Sequence, residues 1–367
     1  METSMPSLRT PLCDLLEIRL PIIQAPMAGG PCTPRLVSAA SSAGVLGSFG
    51  FAYTQPDAMK RDVEAVRAVT GGPINLNLFV SAVPGPIAPD AQREAINAVS
   101  KFYIELGLPV PAPVSAPYAP DLDAQFDAVE AIRPAVFTAH LGECHADRVR
   151  SLKSRGIRVG ASATCVAEAE RLEALGFDFI VAQGGEAGGH RGSFLRDPYA
   201  SLTGTLALVR MIVSAVKVPV VAAGGIMDGA GIAAALALGA QGAQLGTAFL
   251  TCEESGAPPI QKRRLLEVRE DETMITSKFS GKPARGIGNR FMRAMNAADS
   301  PVLAFPAQNA LTGKLRVASA QADNPEFVAM WAGQAAPLAR ALSVADLVKR
   351  LEAETLDTID RLARFRA

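Results

Sequence analysis

Aromatic side chains are scarce: Phe, Tyr and Trp together make up 5% of the 367 residues. So few rings argue against a base-stacking surface or an aromatic-cage binder. Net charge is absent as well. The 36 Lys+Arg balance 36 Asp+Glu, so no basic face is expected and nucleic acid is not an expected partner. The cysteines (Cys13, Cys32, Cys144, Cys165 and Cys252) are odd in number, widely spaced and form no CxxC. That excludes a disulfide framework and a zinc ribbon and predicts free thiols in a reducing compartment. Residues 1–20 carry Glu2, Arg9, Asp14, Glu17 and Arg19 with no apolar h-region, so a secretory leader is not expected. The one long uncharged run, Gly229–Cys252, is interrupted by Gly231, Gly239, Gly242 and Gly246 and by Gln241 and Gln244. It reads as an Ala-rich helix, a glycine turn and a buried strand, not as a membrane span. A cytoplasmic protein without a membrane segment is expected. The 49% apolar content is too high for disorder.

What is present is alternation. Short apolar or β-branched runs recur at Pro21–Ala25, Val45–Ser48, Ile74–Leu78, Ala135–Ala139, Arg158–Ala161, Phe179–Ala182, Val218–Ala222 and Gly242–Leu245. Most are nearly continuously apolar, as strands covered on both faces are. Helical patterns separate them: Pro34–Ala43, Pro56–Thr70, Leu122–Ile132, Ala146–Ser154, Val166–Leu175, Leu202–Val216 and Ala230–Leu238. Several open on a cap or first-turn proline (Thr33-Pro34, Gln55-Pro56-Asp57, Asp228). Eight strand–helix units predict an α/β fold of the (β/α)8 TIM-barrel type over residues 1–252. A dinucleotide-binding open sheet would show GxGxxG after its first strand; here that place holds Gln24-Ala25-Pro26-Met27-Ala28-Gly29. Residues 81–121 form an insertion with a helix near Asp90–Leu106 and a proline-rich stretch, predicted as a loop at the barrel top. The remainder is expected to be mostly helical. Residues 253–340 should form an extension at the mouth, with helices at Pro259–Arg269, Asn289–Ala298 and Pro325–Gln334. Residues 341–367 should form a final helix, Ser343–Arg364, returning to the barrel.

Active sites of such barrels lie at the C-terminal ends of the strands, which selects the candidates. Small residues follow the first strand (Ala25, Pro26, Met27, Ala28), and Asn77 ends the third. After the sixth comes Gln183-Gly184-Gly185-Glu186-Ala187-Gly188-Gly189-His190-Arg191-Gly192. Glycines before a single His suggest close backbone approach and an imidazole delivered to the mouth as general base or donor. His140 and His145 read as structural. Glycine-rich turns follow the seventh strand (Gly224, Gly225) and the eighth (Gln244, Leu245, Gly246, Thr247). These are the two places where many barrels hold a phosphate on backbone N–H groups, although such glycines also serve close packing. A flat phosphorylated cofactor fits the set, FMN better than a dinucleotide. Pyridoxal phosphate is disfavoured because no lysine ends a predicted strand.

The stretches PIIQAPMAGG, NLNLF, QGGEAGGHRG, AAGGIMDG, QLGTAFL and SGKPARGIGNRF, in this order along the chain, resemble the nitronate monooxygenases, class I-like, formerly called 2-nitropropane dioxygenases. The resemblance implies an FMN enzyme that oxidises alkyl nitronates, or nitroalkanes, with O2 to a carbonyl compound and nitrite. It implies FMN contacts at Pro26, Met27, Ala28, Asn77, Gln183, Gly188, Gly225, Gln244, Leu245, Gly246 and Thr247, with Ala25, Gly189 and Gly224 beside them, and His190 as the catalytic residue. It also admits a rival, an FMN-dependent, NADH-consuming enoyl-acyl-carrier-protein or quinone reductase. Class I members line the mouth with C-terminal tyrosines; here residues 301–314 offer Phe305 and no Tyr, leaving Tyr118 in the insertion as a candidate. Lys278, Lys282, Arg285, Arg290 and Arg293 read as a solvated face or a loop anchor, with Lys314 apart from them. No metal site is expected, and a homodimer is left open.

Overall fold

The structure, a computed structural model, describes residues 8–81 and 85–366; of the charged start read over residues 1–20, residues 1–7 with Glu2 lie outside them. All eight predicted barrel strands form, each end within two residues of its predicted place. They are β1 (Ile22–Gln24), β2 (Gly47–Gly50), β3 (Ile74–Phe79), β4 (Val136–His140), β5 (Arg158–Ala163), β6 (Phe179–Gln183), β8 (Val220–Ala223) and β9 (Gly242–Leu245). All pair in parallel, in the order β1-β9-β8-β6-β5-β4-β3-β2. A bridge between Ile23 and Leu46 joins the two ends of the sheet and closes the barrel, with Gln24 N donating to Leu46 O at 3.0 Å. Parallel strands covered on both faces need apolar residues throughout, which is why the runs were continuous.

The helices follow the same logic. Thr33 Oγ1 accepts from Leu36 N at 3.1 Å and Asp228 Oδ1 from Gly231 N at 2.9 Å; caps of this kind contribute about 1 kcal/mol each. Gln55 makes no side-chain cap. A helix the alternation does not show, Pro11–Leu16, sits against the N-terminal end of the barrel. Its Leu12, Cys13 and Leu16 pack against the inward-facing Ile23, Leu46, Val136 and Phe179, so the barrel is filled from below and open only above. Between the two lies a buried polar layer. Ser48 N donates to Gln24 Oε1 (2.8 Å), Asn75 Nδ2 to Thr138 Oγ1 (3.0 Å), and Asn77 Nδ2 to Thr138 O (3.0 Å) and Oγ1 (2.9 Å).

The insertion holds the helix Pro89–Glu105. Beyond the barrel the chain is less helical than expected. A three-stranded antiparallel sheet stands over the mouth, formed by β10 (Thr273–Thr276), β11 (Ala284–Ile287) and the two-residue β7 (Gly189–His190). The helix predicted over Pro325–Gln334 does not form. After a single 3-10 turn at Pro325–Phe327 the chain runs extended beside β11, Ile287 N donating to Met330 O at 2.9 Å and Ala332 N to Arg285 O at 3.2 Å. This apolar run is covered on both sides, and a strand-like run of that kind cannot be told from a buried helix by periodicity alone. Two further helices, Ala307–Leu311 and Gly313–Gln321, flank the mouth. The last helix, Val344–Ala363, lies against the helices Gly229–Ala237 and Pro34–Ser42, with Leu347, Val348 and Leu351 in the main core. It takes the outer-ring place that the four-residue helix Thr247–Leu250 is too short to fill. No helix of the described residues is long and apolar enough to cross a membrane.

Candidate active site

A cavity of about 560 Å3 opens at the C-terminal ends of the strands. It is lined by Ala25, Pro26, Met27, Ala28, Asn77, Gln183, Gly188, Gly189, His190, Gly224, Gly225, Gln244, Gly246 and Thr247. The catalytic candidate and every cofactor candidate read from the strand ends are therefore brought to one place except Leu245. Strand alternation turns that side chain outward into the core, and its carbonyl accepts from Ala25 N at 2.9 Å.

The two glycine corners face each other across the ends of β8 and β9. Gly224 and Gly225 adopt φ of 119° and 70°, values that L side chains rarely take. Among the described residues the N–H groups of Gly224, Gly225, Gly246 and Thr247 have no protein acceptor. Thr247 Oγ1 accepts from Gly333 N at 3.0 Å and keeps its own proton to donate. Thr247 is buried, Gly224 and Gly246 are half-buried and Gly225 is exposed at the cavity; a row of free N–H groups at such a corner fits an anionic group such as a phosphate. Asn77 spends its amide hydrogens on Thr138 and leaves Oδ1 free among the described residues. Gln183 is used differently: Nε2 donates to His190 O (2.9 Å) and Oε1 accepts from Gly192 N (2.7 Å). It holds the histidine loop while lining the cavity. The glycines before His190 are partly explained by packing. A Cβ on Gly188 would stand 2.5 Å from the Ala332 carbonyl carbon, because the extended 328–333 segment crosses there.

His190 is 8% exposed. Its ring packs against Phe79 (centroids 5.6 Å apart), Phe305 (5.7 Å) and Trp331 (5.6 Å). Burial among these rings, then the neighbouring His140, Lys282 and Arg316, pushes its pKa down to about 3. Its Nε2 lies 2.9 Å from Ser280 Oγ, and Ser280 donates its proton to Lys282 O at 3.0 Å. The imidazole must then donate from Nε2, which leaves the lone pair on Nδ1. His140, which also lines the cavity, lies behind it. Its Nε2 donates to His190 O (3.1 Å) and its Nδ1 accepts from Ser162 Oγ (2.9 Å). Burial first, with Lys282 and Arg191 adding to it, holds its pKa at about 4 against the bond to His190 O.

Several residues of the site were not read from the sequence. The rings are few, but Tyr53, Phe79, Phe305 and Trp331 gather around the mouth; sequence distance hid their convergence. Tyr53, on the loop after β2, lines the cavity, whereas Tyr118 packs in a separate apolar cluster with Phe102 and Phe291. Arg316 lines the cavity as well. The basic segment is corrected in part. Lys278 and Arg285 are buried anchors, Lys278 Nζ donating to Ser300 O (2.6 Å) and Arg285 Nε to Gly185 O (3.1 Å). Lys282 is half-buried; Arg290, Arg293 and Lys314 are exposed. Arg191, outside every expectation, is fully buried and donates to the carbonyls of Gly184 (2.6 Å), Gln183 (3.1 Å) and Ser201 (2.6 Å).

This arrangement has counterparts. A family model described as nitronate monooxygenase matches residues 9–354. The chain belongs to the nitronate monooxygenase family. It is 42% identical over 357 residues to the nitronate monooxygenase of Paraburkholderia phytofirmans, covering 96% of this chain and 97% of that one. Among solved structures, a nitroalkane oxidase from Streptomyces ansochromogenes superposes with a TM-score of 0.88 at 37% identity, covering 96% and 99% of the two chains. FabK from Thermotoga maritima superposes with a TM-score of 0.77 at 27% identity, covering 98% and 100%. Membership of the nitronate monooxygenase family makes the chain an enzyme, an oxidoreductase of a flavin-dependent group, on a TIM barrel.

Proposed function

We propose that the chain binds FMN and uses O2 to oxidise alkyl nitronates to an aldehyde or ketone plus nitrite. The observation that carries this reading is one cavity lined together by unpartnered backbone N–H groups at Gly224, Gly225, Gly246 and Thr247, by a neutral histidine and by no carboxylate among its described lining residues. Gly224, Gly225, Gly246 and Thr247 would hold the phosphate. Ala25, Pro26, Met27, Ala28, Asn77, Gln183, Gly188, Gly189 and Gln244 would border the ring system, with Leu245 contributing backbone. The flavin, when bound, supplies the electron transfer between substrate and dioxygen.

The protein's own part is position and proton control. Neutral His190 presents the Nδ1 lone pair, so it serves as a base toward the carbon acid of a neutral nitroalkane. The same burial makes its conjugate acid costly, and a base whose pKa lies far below the working pH is a weak one. A preformed nitronate needs no such step. Nitronates are therefore the better substrates, and His190→Asn reduces turnover of 2-nitropropane more than turnover of a nitronate. The test is the visible spectrum of the purified protein and identification of the released flavin, followed by nitrite release from propionate 3-nitronate and 2-nitropropane. FMN with nitrite release supports the reading. A different flavin, or no nitrite together with rapid anaerobic bleaching by NADH, refutes it.

A further inference from the structure

One group at the mouth is not used by the mechanism above. Arg316, on the helix Gly313–Gln321, projects into the cavity from the wall that carries Asn309 and Val317. Its Nη2 donates to Asn309 O and Oδ1, both at 2.8 Å. Among the described residues, Nη1 has no acceptor, Nε is buried without a partner, and the guanidinium makes no ion pair. The hydroxyl of Tyr53, close enough for each group to perturb the other, is also buried without a partner. No Asp or Glu is found among the described lining residues, and both histidines there are neutral. Arg316 is thus the one formal charge among the described lining residues, and no described residue forms an ion pair with it.

Arg316 is half-buried with its Nε fully enclosed, and a cation partly withdrawn from water without a counter-ion is costly unless a ligand supplies the opposite charge. An arginine cannot discharge itself by losing its proton. The missing partner is therefore an anion, and the planar donor fork suits a planar group that shares charge over two oxygens. Tyr53 and His190 flank the same pair of rings, Phe79 (6.0 and 5.6 Å) and Phe305 (6.5 and 5.7 Å). An anion beside Tyr53 is accordingly within reach of the His190 side of the cavity. His190 itself cannot receive it, because its free nitrogen carries a lone pair.

We propose that Arg316, with the Tyr53 hydroxyl beside it, binds the nitro oxygens of the nitronate anion and sets the preference for the anion over the neutral nitroalkane. This rests on the proposed oxidation of nitronates. The experiment compares wild type with R316M, R316K and Y53F, all flavin-loaded. It measures steady-state kinetics with ethyl nitronate, propionate 3-nitronate and nitroethane, titrates the oxidised flavin spectrum with nitrate, and determines flavin content and dissociation constant. Charged hydrogen bonds of about 1.5–3 kcal/mol correspond to a roughly tenfold to hundredfold loss. R316M is expected to raise KM for both nitronates and the nitrate dissociation constant by that factor. Y53F should do so by less, R316K should recover part of the loss, and kcat/KM for nitroethane should fall by much less.

Four results overturn the proposal: loss confined to the carboxylate-bearing nitronate, which would place Arg316 on a distal group; weakened flavin binding, which would place it on the cofactor; equal losses for nitronates and nitroethane; or no change in any variant. If R316M does not fold, Y53F and R316K carry the same comparison. A wild type that releases no nitrite from either nitronate overturns this assignment together with the function it rests on. A wild type that does, with R316M unimpaired, overturns this assignment alone.

Discussion

The two buried histidines should remain neutral well below the pH at which imidazole ordinarily protonates. His140 and His190 have their pKa values pushed from 6.5 to about 4 and about 3, in both cases chiefly by burial. In each case the folded value lies below the unfolded one, so the unfolded chain takes up the proton first. Stability from these groups is undiminished above about pH 6.5. It falls with decreasing pH, to about pH 4 for His140 and about pH 3 for His190. At pH 5 each sits 1.5 units below the unfolded value, and at about 1.4 kcal/mol per unit this costs about 2 kcal/mol per histidine. The chain has only three histidines, so 15N-histidine labelling yields three imidazole spin systems, the third from the exposed His145. Long-range nitrogen–proton spectra from pH 7 to pH 5 should keep two of them neutral, each protonated at Nε2. Urea denaturation should show His140→Gln losing about 2 kcal/mol less than wild type over the same interval. An imidazolium pattern at His140 or His190 near pH 6, or the Nδ1–H tautomer at His190, would refute both the burial argument and the tautomer assigned through Ser280.

Two further perturbations test the scaffold. Gly188→Ala places a methyl carbon 2.5 Å from the Ala332 carbonyl carbon and 2.6 Å from Gly333 N. Both contacts are backbone, so the 332–333 segment must move away from Thr247; flavin content after gel filtration should fall severalfold, and full retention would show that the segment yields freely. Arg191→Met leaves the carbonyls of Gly184, Gln183 and Ser201 without their donor and should cost roughly 3–5 kcal/mol of unfolding free energy. A loss below about 1 kcal/mol in urea denaturation would mean that water replaces the guanidinium.

The barrel was legible because its signal is local. Continuous apolar runs such as Phe179–Ala182 and cap residues such as Thr33 and Asp228 act within a few positions of themselves. Residues at strand ends were legible for the same reason: once the strands are placed, Asn77, Gln183 and Gly225 must lie at the mouth. What stayed hidden depends on contacts distant in sequence. Trp331 lies in a stretch whose composition suits a helix, and only pairing with β11 makes it extended. The strand pairing of Gly189 and His190 exists because Ala284 and Arg285 return beside them. Lys278 and Arg285 look solvated in a run of basic residues, yet their acceptors, Ser300 O and Gly185 O, lie elsewhere in the chain. Arg316 gave no signal at all, since its helix is amphipathically weak and its charge has meaning only inside the cavity.

Arg316 and His190, which line the same cavity, constrain each other electrically. The apolar enclosure that keeps His190 neutral also lowers the local dielectric, which lengthens the reach of the Arg316 charge. Arg316 is among the groups that depress His190, after burial, His140 and Lys282. An anion bound at the guanidinium cancels that contribution while leaving the burial in place. Binding of the anion and proton affinity of His190 are therefore coupled, and the coupling is reciprocal: a bound nitronate makes His190 a somewhat better base, and a protonated His190 binds the anion more tightly. A neutral nitroalkane cancels nothing and meets the histidine at its least basic. On the proposed assignment the site discriminates twice in the same direction, once through charge at Arg316 and once through proton affinity at His190, with no carboxylate among its described lining residues.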